Sequence, residues 1–354
     1  MGTIITSSAT SAQPQGTRRR KGLGFWTGRI LLVLVIALVA LAATGAIYQA
    51  VATAIDRRVY PAPGQLVDVG GYQLHIHCIG AGSPTVILES AFPGISADWA
   101  WVQPQVANTT RVCAYDRAGM GWSDLGPQPR DASQIAAELH TLLHRAGIQP
   151  PYVLVGHSLG GLFVRRYAAH YPNELAGMVL VDATHPDVLT RLPPEFAAGF
   201  TPSESVLALF PILARLGVTR LGLVDPFPVD PNLPAQQHAV ITALTVSTKS
   251  TTAIAGELRA IPASLAQVRA AGELGGTPLV VVTSENTFPG SPQTQRSWNE
   301  LQHDLVALSS NSTQRTIAGA THESLVYSQK DAQATIAAIR QVVDVARTGQ
   351  PLVQ

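Results

Sequence analysis

The stretch Val153-Leu154-Val155-Gly156-His157-Ser158-Leu159-Gly160-Gly161 decides how the rest of the chain is read. A short apolar run stops at Gly156, and a helical spacing of Phe163, Val164, Tyr167 and Ala168 follows Gly161. Strand, sharp turn, helix is the context in which Gly-x-Ser-x-Gly becomes a nucleophile elbow. A turn tight enough to lift a serine hydroxyl above the strand tip brings backbone against backbone, so residues without a Cβ belong at positions 156 and 160. Ser158 is therefore the candidate nucleophile. An ordinary glycine-rich turn with an incidental serine is the competing reading of the same residues.

On either side of this stretch the apolar runs keep alternating with helical spacings. Residues 66–69 and 72–78 flank Gly70-Gly71, a hairpin signal. Residues 85–89, 111–115, 177–182, 278–283 and 313–317 read as short buried strands, and residues 132–146, 294–308 and 331–346 as helices. Such alternation predicts an α/β fold whose sheet is mainly parallel, with helices on both faces. Between Asp182 and Pro278 the rhythm breaks into Pro-punctuated apolar pieces that are helix-like at 205–216 and 254–271. A structureless loop of that length is improbable in a compact domain. It reads as a helical cap inserted at about 186–272, over the strand tips.

The 354 residues carry a net charge of +1, with 46% hydrophobic and 13% charged residues. That balance excludes nucleic acid as a partner, because no basic stripe exists to neutralise phosphates. Part of the apolar excess has a location. From Ile30 to Ile55 there is no charged residue, and about 20 such residues cross the ~30 Å hydrocarbon core of a bilayer. Arg18-Arg19-Arg20-Lys21 and Arg29 precede the segment; Arg57 and Arg58 follow it. The asymmetry places the N-terminus inside and the bulk of the chain outside. The expected organisation is a disordered basic cytoplasmic tail (1–27), a membrane anchor (28–55), a Pro/Gly linker (56–64) and a catalytic domain (65–354). The expected location is the cell membrane, single-pass; secretion after signal cleavage is the alternative, although a signal's apolar region runs only ~7–15 residues.

A serine hydroxyl needs a base, and the base needs an orienting carboxylate. His322, in the small-residue loop after the last expected strand, is the candidate base. For the acid, Asp182 ends the strand after the elbow strand and Glu285 ends the next one, with Asp187 a further possibility; Asp182 is preferred. An oxyanion hole needs backbone N–H groups. Leu159 supplies one, and the loop Ser90-Ala91-Phe92-Pro93-Gly94 the other, from Phe92 or Ala91, since proline has no N–H; Phe92 is preferred.

With these residues in place, the chain from about Gln65 onward resembles the α/β-hydrolase fold family. The resemblance is carried by Gly156-His157-Ser158-Leu159-Gly160-Gly161, by Tyr115-Asp116-Arg117-Ala118-Gly119-Met120-Gly121-Trp122-Ser123, and by the late His322. It implies an eight-stranded, mostly parallel sheet, a cap after the sixth strand, Ser158 as nucleophile, His322 as base, and Leu159 with Phe92 as oxyanion donors. Two departures stand out. Ser90-Ala91 replaces the family's frequent His-Gly, and Thr287 stands where many members carry the acid, which favours Asp182.

Other candidates have simpler readings. Asp116-Arg117 reads as a loop-bracing ion pair, and His157 as structural. Trp99, Trp101 and Trp122 either line a pocket mouth or pack. His75 and His77 share a strand face but find no third metal ligand at suitable spacing, so neither metal nor cofactor is expected. Cys78 and Cys113 either pair outside the cytoplasm or pack as separate thiols. The expected activity is hydrolysis of a small apolar carboxylic ester. Peptidase or haloperoxidase-like chemistry on the same triad, or a non-catalytic binding protein of the same fold, are the alternatives.

Overall fold

The computed structural model describes residues 1–5, 8, 23–224 and 227–352. The basic run at 18–21, and with it most of the expected N-terminal tail, lies outside the described residues. Two compact units divide the chain, residues 1–44 and 45–354. The first is the leading part of helix α1 (Leu23–Val59), whose 26–59 stretch is long and apolar enough to cross a membrane.

The second unit is built on one eight-stranded sheet. Its strands are β1 (Gln65–Asp68), β2 (Gln73–Ile79), β3 (Thr85–Glu89), β4 (Val112–Tyr115), β5 (Tyr152–His157), β6 (Leu175–Val181), β7 (Leu279–Ser284) and β8 (Ser312–Ile317). The order across the sheet is β1-β2-β4-β3-β5-β6-β7-β8. β1 and β2 pair antiparallel, β2 and β4 likewise, and every later pair is parallel. The first hairpin closes where Asp68 Oδ1 accepts from the N–H groups of Gly70 and Gly71, both at positive φ.

Period-two alternation sorts each strand between two cores. Val86, Leu88, Val153, Val155, Val280 and Val282 share one core with Ile336, Ile339 and Val343 of the last long helix. Ile87, Leu154, Met178, Leu180 and Val281 face the other way, with Leu139 and Leu142 of one helix and Val164 and Tyr167 of another. The helices are α2 (Ala132–Arg145), α3 (Gly160–His170), α4 (Glu204–Arg215), α5 (Ala235–Thr245), α6 (Thr248–Arg269), α7 (Pro292–Val306) and α8 (Ala332–Thr348). α2 starts at Asp131, whose carboxylate accepts from the Gln134 N–H at 2.9 Å.

Between β6 and β7 lie α4, α5 and α6, with two shorter helices at Val188–Arg191 and Pro194–Phe200. Ser203 and Ser247 cap α4 and α6. Their apolar sides (Leu207, Leu244, Ile254 and Leu258) pack with Leu159, Leu162 and Phe163 beside the elbow. The short helices and α5 lie outside the two pieces read as helix-like, 205–216 and 254–271. A second difference concerns the expected linker. Residues 56–59 are the last turn of α1, and Asp56 pairs with Arg220 at 2.7 Å, so the irregular connection begins only at Tyr60.

Candidate active site

The carboxyl ends of β3, β5, β6 and β8 bring Ser90–Phe92, Ser158, Asp182 and His322 to one side of the domain, as open α/β sheets do. Two of these residues carry unusual backbone. Among the described residues, Ser158 at φ +54° and Asp182 at φ +41° are the two non-glycine residues with positive φ. Such strain persists only where the surroundings hold it, and it concentrates at functional sites. Around Ser158 the restraints are explicit. Its N–H donates to Val181 O at 3.1 Å, and its carbonyl accepts from Gly161 and Thr184. A Cβ at 156 would meet Gly160 O at 2.7 Å, and one at 160 would meet Glu89 O at 2.6 Å. The elbow thus tolerates glycine alone at both positions.

Asp182 is fully buried. Its Oδ2 accepts from His322 Nδ1 at 2.7 Å and from the Ser284 and Thr287 hydroxyls, each at 2.9 Å. Its Oδ1 accepts from Trp298 Nε1 at 3.0 Å and the Ser284 N–H at 3.2 Å. Burial alone would raise its pKa; the His322 bond and charge, with Trp298 and Ser284, outweigh burial and hold it below the ordinary value. For His322, burial pushes down, but the Asp182 hydrogen bond and charge prevail and raise the imidazole above 6.5. Behind it, His157 Nε2 donates to His322 O at 3.0 Å, and the two rings lie 4.9 Å apart. Burial, then the charge of His322, drives His157 down to about 3, so it stays neutral.

The other acid candidates sit elsewhere. Glu285 is exposed, and its carboxylate accepts from the Gly319 N–H at 2.8 Å. Asp187 pairs with Arg269 at 2.6 Å. Sequence reading missed Trp298, Ser284 and the hydroxyl of Thr287 as partners of Asp182. In the sequence Thr287 stands out only as the place where many members of the family carry a carboxylate.

A cleft of about 330 Å³ holds Ser158, His322, His157 and Phe92, with Phe227 and Leu233 of the cap on its far wall. Asp98 and Tyr327 also line it. Burial, with the nearby charge of Asp116, raises Asp98 to about 7 despite the Ile95 N–H. Leu159 occupies the N-cap of α3, where the first N–H groups have no intrahelical partner. The Phe92 loop is tied from below. Arg117 donates to Ser90 O at 2.9 Å and Ala91 O at 3.0 Å while pairing with Glu89 and with Glu257 of α6.

That arrangement corrects the reading of Asp116-Arg117 as one ion pair. Neighbours at a strand end point apart: Asp116 instead pairs with His75 at 2.9 Å and accepts from the N–H groups of Ser96 and Trp122. None of the three noted tryptophans lines the cleft. Trp99 donates to Ser90 Oγ, Trp101 to Asn232 O and Trp122 to Tyr60 O. Cys78 and Cys113 face each other across β2 and β4 and are joined in a disulfide.

Comparison with known proteins agrees with this architecture. A family description, the alpha/beta hydrolase fold, matches residues 84–205. A probable transporter of Hormonema carpetanum is 33% identical over 136 residues, 36% of this chain and 20% of that protein. A 2-hydroxy-6-oxo-2,4-heptadienoate hydrolase of Pseudomonas putida is 31% identical over 127 residues, 34% of this chain and 44% of that protein. The matched stretches span only 20% to 42% of the first four curated relatives. Among solved structures, Cfl2 from Burkholderia cenocepacia is 23% identical with a TM-score of 0.62, covering 79% of this chain and 95% of that one. Sheet order, elbow and these likenesses together show that the chain has the α/β-hydrolase fold.

Proposed function

We propose that the chain is a serine hydrolase that cleaves a small apolar carboxylic ester through an acyl-enzyme. The observation that carries this reading is the 2.7 Å bond from His322 Nδ1 to buried Asp182, beside a strained Ser158 in the same cleft. With Nδ1 committed to Asp182, Nε2 of the neutral ring is the free base. It takes the Ser158 proton as Oγ attacks the ester carbonyl, and the imidazolium is stabilised by the Asp182 carboxylate. The oxyanion is held by the N–H groups of Leu159 and Phe92, a donor of this kind being worth about 2.7–4 kcal/mol of barrier. The imidazolium returns its proton to the departing alkoxide. Water then attacks the acyl-enzyme by the same route, giving the acid and free Ser158.

A carboxylate nucleophile, as epoxide hydrolases of this fold require, is not what stands at position 158. The hydrolase among the relatives supports hydrolysis as the reaction class. We further propose that α1 anchors the chain in the cell membrane with the catalytic domain outside the cytoplasm. The Cys78–Cys113 disulfide supports an oxidising compartment. A fluorophosphonate probe tests the chemistry. Labelling of the wild type that disappears in Ser158→Ala is expected, and unlabelled wild type sinks the reading. Hydrolysis of p-nitrophenyl esters of graded acyl length then maps the substrate.

A further inference from the structure

From Val206 to Ala214 helix α4 carries only apolar residues, which a water-facing helix does not sustain. Leu207 and Ala214 are buried toward the domain, yet Val206, Leu209 and Ile212 recur on an exposed side at spacings of three. The loop that follows adds Leu221, 60% exposed, and Leu223, 72% exposed. No charged residue stands between Ser205 and Ala214 or between Leu221 and Val224. Large apolar side chains exposed this densely along one stretch of chain mark a contact with something other than water.

Its position identifies the partner. The part of α1 from Gly45 onward is fastened to the segment just after α4. A Cβ at position 45 would lie 2.4 Å from Leu216 O, and Tyr48 packs on Gly217. Gln49 donates to Val246 O at 3.0 Å and accepts from Arg220 Nε at 2.9 Å, while Arg220 also pairs with Asp56 at 2.7 Å. This docked part of α1 carries its own exposed apolar row, Ile47, Val51 and Ile55, at helical spacing. Within the second unit, the docked part of α1 is thus held by the segment that directly follows α4.

A small void beside α4 shares walls with the Ser158 cleft. Phe210 of α4 and Val224 line a void of about 40 Å³ whose other walls include Pro93, Phe227 and Thr245. Those last three residues also line the Ser158 cleft. A flexible apolar chain suits such a narrow, greasy seam better than a protein surface does.

We propose that the exposed face of α4 with Leu221 and Leu223 rests on the lipid bilayer, so that the Ser158 cleft opens toward esters held in the membrane. The proposal rests on α1 being a membrane anchor. Because both native cysteines are disulfide-bonded, a thiol introduced by Leu209→Cys or Ile212→Cys can be labelled alone with an environment-sensitive nitrobenzoxadiazole dye. The full chain is reconstituted in phosphatidylcholine–phosphatidylglycerol vesicles containing acyl-chain nitroxide lipids. Ile36→Cys in the apolar helix and Ser310→Cys, at the opposite ends of the strands, serve as references. Dyes at 209 and 212 are expected to shift to the blue and to be quenched several-fold more than the dye at 310. Quenching at 36 without quenching at 209 and 212 overturns the proposal and leaves the anchor standing. No quenching at 36 overturns both. A blue shift at 209 without lipid quenching means that protein, such as a second copy, covers the face, and also overturns the proposal.

Discussion

His322 Nδ1 stands 2.7 Å from Asp182 Oδ2, and three further side chains, Ser284, Thr287 and Trp298, grip the same carboxylate. A carboxylate so fully engaged cannot rotate away, so it fixes both the tautomer and the tilt of the imidazole. Replacing it by an amide presents the ring with the wrong partner while keeping the shape. Asp182→Asn is expected to lower kcat on a p-nitrophenyl ester by about 10⁴-fold, the scale set by the aspartate-to-asparagine precedent in serine proteases. Glu285→Gln, at an exposed carboxylate bound to Gly319 and outside the cleft, is expected to leave kcat unchanged. The reverse pattern would move the acid to Glu285.

The same contact sets a pH dependence. His322 must be neutral to accept the Ser158 proton. Burial favours the neutral ring, but Asp182 more than offsets it and lifts the pKa above 6.5. The rate therefore falls as pH drops through that raised value, and kcat/KM should show an acid limb above 6.5. In Asp182→Asn burial is opposed only by the charge of Glu323, the smallest of the raising causes, so the limb of the residual activity should move to lower pH. A limb that stays in place would assign it to another group, with Asp98 the nearest candidate in the cleft.

These two residues also show how far sequence alone could lead. The turn at Ser158 was legible because the elbow is local: its glycines, its apolar strand and its helix lie within one short stretch. The loop of His322 was legible from its place after the last strand. Which carboxylate meets His322 was less so, because Asp182 and Glu285 both follow parallel strands and differ in where their side chains point, one to His322 and the other to Gly319. Trp298 projects from a helix 116 positions away, and no spacing rule connects it to Asp182. The cap was visible as a break in rhythm, but α5 follows Pro234 with no capping side chain, so its start carried no signal. The proline-rich run at 61–64 marked an irregular connection; it did not reveal that the turn before it is helical and bound to Arg220.

Arg117 illustrates a dependence of the site on distant burial. Its guanidinium, 1% exposed, joins Glu89 on β3 to Glu257 on α6 and holds the Ser90 and Ala91 carbonyls. Arg117→Met removes the cation and leaves two buried carboxylates facing each other. Breaking a buried pair from one side typically costs about 3–5 kcal/mol. The midpoint of urea unfolding should fall accordingly, and activity toward short esters should fall too, because the Phe92 loop loses its tie. Since the cluster is dry, added salt should change the loss little. An unchanged midpoint would mean that the carboxylates rearrange or protonate at no cost.

The Cys78–Cys113 bridge is a constraint of another kind. It joins β2 to β4 across a sequence separation of 35, at an antiparallel pair. Chain-entropy scaling puts a loop of that size at about 3–4 kcal/mol, mostly by limiting the unfolded chain. Cys78→Ala/Cys113→Ala should therefore lower the thermal midpoint by several degrees while leaving kcat unchanged, because neither sulfur lines the Ser158 cleft. The bridge also reports on where the domain resides. In intact cells, a membrane-impermeant reductant followed by a thiol-reactive probe should label the chain only if the domain lies outside. Free thiols in protein trapped by acid quenching, before any reductant is added, would place it in the reducing cytoplasm instead and reverse the proposed topology.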